Sequence, residues 1–190
     1  MNFFSNLFDK IINLAKKNNS EKYLYFVSFI ESFIFPVPPD ILLAPIALTK
    51  KIHWLKIAIY TTFYSVLGGI IGYIIGIYLY EITFFQKLIN EEIFLEAKNL
   101  FLEHGFIIIF MAGFTPIPYK VFTITAGYMS IAFIPFVFAS FIGRGLRFFI
   151  VAALFYYFGI NLANKLKKYF EYIGFTITIV FIYFIISKYF

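Results

Sequence analysis

Cysteine is absent from this chain of 190 residues, which excludes a disulfide scaffold, thiolate catalysis and any cysteine-held metal. Charge is scarce as well. Asp, Glu, Lys and Arg make up 14% of the sequence, where about 25% is usual for a soluble domain. Histidine occurs only as His53 and His104, and no G-x-S-x-G, H-E-x-x-H or phosphate-cradling P-loop is present. The sequence therefore offers no catalytic residue, no metal ligand set and no cofactor motif. What fills the chain instead is carbon: 62% of its residues are apolar, with 29 Phe and 15 Tyr. That is more apolar surface than one core can hide, and far too much for disorder. An all-α integral membrane protein remains. Its net charge of +6 then reads as lysine in cytoplasmic loops, not as a nucleic-acid surface.

The order of segments follows from hydropathy and proline. Met1 to Lys17 alternates apolar and polar residues at helical spacing, an interfacial amphipathic helix; Asp9 and Lys10 interrupt the apolar run a cleaved signal would need, so the segment reads as retained. Tyr23 to Leu48 is apolar apart from Glu31 and Asp40, but Pro36, Pro38 and Pro39 break it. Ile57 to Tyr80 is a long apolar run with Gly68, Gly72 and Gly76 one turn apart, a surface for close helix packing within the chain or in a homo-oligomer. Phe84 to His104 is a second amphipathic helix, acidic this time. Gly105 to Phe133 is broken by Pro116 and Pro118, and Ile134 to Phe158 is the second long run. A basic connector and a short apolar helix, Tyr172 to Ile186, complete the chain.

The two broken segments match at an offset of 80: F-P-V-P-P-D-I at Phe35 to Ile41 lies over T-P-I-P-Y-K-V at Thr115 to Val121. In the long runs Gly68 then falls on Gly143, Gly69 on Arg144 and Gly72 on Arg147. The expected fold is two inverted repeats of a re-entrant hairpin plus a transmembrane helix, with interfacial amphipathic helices and a C-terminal helix. The parts are an N-terminal helix (1–20), a membrane domain (21–160) and a basic connector with a C-terminal membrane helix (161–190). Within the membrane domain lie repeat one (23–80), the acidic helix (84–104) and repeat two (105–158). With re-entrant hairpins, Lys10, Lys16, Lys17, Lys22, Lys50, Lys51, Lys56, Lys165, Lys167 and Lys168 share the cytoplasmic side, against Lys87, Lys98 and Lys188 outside. Crossing hairpins distribute the lysines less unevenly.

Five ionisable residues sit inside apolar segments: Glu31, Asp40, Lys120, Arg144 and Arg147. At about 2.5–3.5 kcal/mol each near mid-membrane, they must meet one another or a polar cavity. Three cations face two anions, which leaves one positive charge for a guest. Asp40 and Lys120 are repeat equivalents, so an inverted twofold brings an acidic and a basic hairpin tip together. Arginine forks suit phosphate oxygens, so Arg144, Arg147 and Lys120 are the candidate substrate-binding residues; Glu31 and Asp40 would hold or release a proton or supply counter-charge. Other readings use the same charges in a proton-coupled carrier of small ions or solutes, in a non-transporting scaffold held by structural ion pairs, or in acid–base chemistry by Glu31 with Asp40.

The runs E-S-F-I-F-P-V-P-P-D at Glu31 to Asp40, G-F-T-P-I-P-Y-K at Gly113 to Lys120 and G-R-G-L-R-F at Gly143 to Phe148 resemble the DedA family, also called the SNARE-associated or VTT-domain family. The resemblance covers Tyr23 to Gly159 and is strongest to a short branch carrying F-P-x-P-P-D and P-I-P-Y-K. It implies a multi-pass protein of the bacterial inner (cytoplasmic) membrane with two opposed re-entrant hairpins that moves lipids across the bilayer, as a flippase or scramblase. Bacterial members are linked to polyprenyl-phosphate recycling, the proton-motive force and envelope stress, and eukaryotic members to phospholipid scrambling. By motif position the family's functional acids fall on Glu31 and Asp40, and its basic residues on Lys120, Arg144 and Arg147. Many members place an Arg just before the second proline motif. This chain has Phe114 and Thr115 there, so a specific phosphate lipid does not carry over.

Overall fold

The computed structural model describes residues 13–17, 19–34, 37–50, 53–81, 91–115 and 118–159. The expected C-terminal helix and most of the N-terminal one lie outside these residues. Among the described residues the chain is all-helical: α1 (Ser20–Glu31), α2 (Asp40–Thr49), α3 (Trp54–Glu81), α4 (Glu91–Phe114), α5 (Tyr119–Tyr128) and α6 (Phe133–Gly159). Each half runs arm, break, arm, long helix. Proline sets the breaks, because Pro39 and Pro118 stand at the N-caps of α2 and α5, where a missing N–H costs nothing. Glu21 and Asp40 occupy the first turns of α1 and α2, at the favourable end of each helix dipole.

The first two arms form a closed hairpin. At its open end Lys50 Nζ meets Glu21 Oε1 at 3.1 Å, and Thr49 Oγ1 donates to the Ala15 carbonyl. In the second half, α4 runs unbroken through His104 and Gly105, so the acidic stretch and the first arm, separate segments in the sequence reading, are one helix. Helical residues favour continuation wherever neither proline nor a cap intervenes, and a lone Gly105 is a weak breaker. Ile131, just beyond α5, packs against Gly105 and closes this hairpin.

The glycine ladder of α3 is consumed inside the chain. A Cβ on Gly68 would strike the Phe29 carbonyl of α1, one on Gly72 the Thr123 side chain, and one on Gly76 the Ile124 carbonyl of α5. Gly143 of α6 presses in the same way on the Phe110 carbonyl of α4, so the aligned pair Gly68 and Gly143 makes the same contact in both halves. Each long helix also takes an arm from the other half. Packing of α3 runs along α5, while Leu43, Ile46 and Ala47 of α2 share a core with Phe148 and Ala152 of α6.

The helices α3 and α6 measure about 42 and 40 Å at 1.5 Å per residue, long enough to cross a bilayer, and both are apolar enough to do so. Their outward faces are greasy too, with Ile59, Phe63, Ile134 and Phe138 exposed. The ends of the bundle differ. Trp54 stacks with Tyr156 at the end that carries Lys16, Lys17, Lys22, Lys50 and Lys56, whereas Tyr73 bonds the Ile131 carbonyl toward the opposite end, where Glu103 and His104 lie exposed.

Candidate functional site

All five charges of the apolar segments converge where the two breaks face each other. Glu31 is the last residue of α1, Asp40 the first of α2, Lys120 the second of α5, and Arg144 with Arg147 project from one face of α6. Arg144 Nη2 donates to Glu31 Oε2 at 2.6 Å, and its Nε donates to Ser65 Oγ at 2.6 Å. The guanidinium lies between the rings of Tyr119 and Phe148, 4.8 and 4.7 Å from their centroids, and its side chain is 1% exposed. This arginine is locked on four sides.

Arg147 makes the second ion pair, through Nη2 to Asp40 Oδ2, and its Nη1 donates to the Thr115 carbonyl. The pair is less enclosed, with the side chains 14% and 21% exposed. Asp40 Oδ1 is buried and has no hydrogen-bond partner among the described residues. Lys120 Nζ donates to the Ile34 carbonyl at 3.3 Å and has no carboxylate partner among them. Equivalence in the repeat therefore did not become contact: Asp40 pairs with Arg147 of α6, and Lys120 reaches the backbone of the other break. The reason is helix termination. A helix leaves its last carbonyls without internal partners, and at depth these need donors; Lys120 serves those beyond α1, and Arg147 those beyond α4.

Hydroxyls knit the rest. Ser32 Oγ and Ser65 Oγ lie 2.9 Å apart, Ser28 donates to the Thr61 carbonyl, and Thr123 Oγ1 donates to the Ser32 carbonyl at 3.1 Å. The sequence reading passed over Ser32, Ser65, Tyr119, Thr123 and Phe148. One signal was available, since Ser65 falls on Ser140 when Gly68 is laid over Gly143, and both are buried. Pro38 and Pro39 flank the site before α2 and Pro118 before α5; Pro36 and Pro116 lie outside the described residues. No group of His, Cys, Asp and Glu suited to a metal occurs among the described residues. Two carboxylates, two arginines and a lysine thus share one partly enclosed place, held by ion pairs, backbone carbonyls and hydroxyls.

Residues 35–157 match the family described as the VTT domain. An uncharacterized protein of Haemophilus influenzae is 40% identical over 99% of this chain and all of its own length. An uncharacterized protein of Histophilus somni is 39% identical over 95% of each chain. No solved structure matches.

Proposed function

The chain belongs to the VTT-domain family, the DedA or SNARE-associated membrane proteins, and from that membership we propose that it moves a lipid with an anionic headgroup across the bilayer. One observation carries the reading: among the described residues three cations and two carboxylates share the meeting point of the breaks, and Lys120 holds a carbonyl and no carboxylate. A phosphate is the anion that fits the surplus, since Arg147 would offer it a planar fork in exchange for Asp40, and Lys120 a point charge. Arg144 would join them when Glu31 takes a proton and lets go. Asp40 Oδ1, buried and without a hydrogen-bond partner among the described residues, would be the second seat for that proton. Prenyl or acyl tails would remain in the hydrocarbon, so only the headgroup needs the polar passage.

The geometry of the first half supports a re-entrant hairpin. The arms α1 and α2 are about 18 and 15 Å long, half of a hydrocarbon core of about 30 Å, and the Glu21–Lys50 pair ties their outer ends together. The recurring contact of Gly68 and Gly143 supports two equivalent halves, and an inverted relation lets α3 and α6 cross while both breaks meet at mid-depth. The setting we infer is a bacterial inner membrane, with lipids and protons as partners.

The test is purified protein in vesicles with a fluorescent lipid phosphate, scored for lipid movement and for flux of a soluble cation, with and without a pH gradient. Arg147→Ala and Lys120→Ala are expected to reduce lipid movement at least tenfold while leaving the melting temperature within a few degrees, because neither is the innermost ion pair; Asp40→Asn should remove the response to the pH gradient. Lipid movement unchanged in Arg147→Ala overturns the reading. Cation flux without lipid movement replaces it with a solute carrier, and no flux of either kind with only stability altered replaces it with a scaffold.

A further inference from the structure

A cation away from the centre also lacks a counter-charge. Lys22 is exposed on the outer end of α1 and has no carboxylate partner among the described residues; its neighbour Glu21 is held by Lys50 at 3.1 Å. From Lys22 the same face of α1 continues with Tyr25, Phe26 and Phe29, and α3 supplies Tyr64 and Leu67. These residues line an open groove of about 290 Å³, walled by carbon apart from the lysine and the tyrosine hydroxyls. It opens sideways, since Phe26 is 60% exposed. Its walls are fixed. The rings of Tyr25 and Tyr64 stack at 5.5 Å with 3° between their planes, and Gly68 holds α3 against the Phe29 carbonyl, so the space is built into the helix packing.

We propose that this groove seats one acyl chain of an anionic glycerophospholipid from the leaflet at the basic end, with the headgroup phosphate on Lys22. Water is a poor occupant of a space with so few polar partners. The volume lies near the lower bound of about 300 Å³ for small-molecule pockets, so it takes a single chain while the rest of the lipid stays in the bilayer. Charge complementarity selects the headgroup: Lys22 is the charged residue among those lining the groove, and the neighbouring acid, Glu21, is neutralised by Lys50. Lysine binds phosphate as a point charge, so net negative charge is read and headgroup shape is not. None of the five central charges lines the groove, and its occupancy does not depend on transport through them.

The experiment uses the full chain in phosphatidylcholine vesicles with trace phosphatidylglycerol or phosphatidylcholine, each bearing a photoactivatable group on one acyl chain, and maps adducts by mass spectrometry. The phosphatidylglycerol probe is expected to mark Phe26, Phe29 or Leu67 well above the phosphatidylcholine probe. Lys22→Gln should lower that labelling about fivefold, the effect of one interfacial lysine, and Lys22→Arg should restore it. Equal labelling by the two probes, labelling unmoved by Lys22→Gln, or adducts absent from the groove because another part of the chain fills it, each overturns the proposal. Labelling that persists in Arg147→Ala keeps this site and the central one distinguishable.

Discussion

Glu31 and Asp40 are both carboxylates beside an arginine, yet their surroundings give them different work. Glu31 balances a guanidinium that is 1% exposed, whereas Asp40 balances one that reaches the surface and keeps a backbone carbonyl as a second partner. Removing one member of a buried pair strands its charge, at a cost of about 3–5 kcal/mol. Glu31→Gln is therefore expected to lower the melting temperature in detergent sharply, and Asp40→Asn only slightly. Equal shifts would show that the two pairs are equally enclosed. That these five charges gather in one place was legible in the sequence, because ionisable residues in apolar runs need one another or a polar setting. Their partners were not. An offset of 80 identifies equivalent positions, but contact depends on where a side chain meets an open helix end, as Lys120 does at Ile34. The hydroxyls of Ser32 and Ser65 carried no distinguishing mark, because serine in an apolar helix bonds its own backbone as readily as a distant arginine.

Among elements, the glycines decide how near the helices come. Gly68→Ala and Gly143→Ala each push a methyl group into a backbone carbonyl that cannot swing aside, and each is expected to destabilise the protein by about 1–3 kcal/mol or more. At Gly105 the nearest atom to an added Cβ is a side-chain methyl of Ile131 at 3.5 Å, so Gly105→Ala should be neutral or, through helix propensity, stabilising by up to about 1 kcal/mol. Thermal unfolding of the three variants in one detergent checks the ranking. The pairing of Gly68 with Gly143 could be read from the sequence, as could both long helices to within a few residues. The fusion of the acidic stretch with the next arm could not, since a change of composition from charged to apolar marks a change of surroundings and does not by itself end a helix.

For the whole molecule, the concentration of Lys16, Lys17, Lys22, Lys50 and Lys56 at one end predicts that this end faces the cytoplasm. The absence of native cysteine makes the test direct. Glu103→Cys in intact cells should react with a membrane-impermeant maleimide, and Lys56→Cys only after permeabilisation; the opposite pattern would reverse the orientation. The exchange of arms between halves carries a larger implication. Because α3 leans on α5 while α6 shares its core with α2, a fragment ending in the linker after α3 would expose two unmatched seams and leave Glu31 and Asp40 with no arginine to neutralise them. Such a fragment would be a substrate for proteolysis, and an ancestral single copy would have needed a twin from the outset.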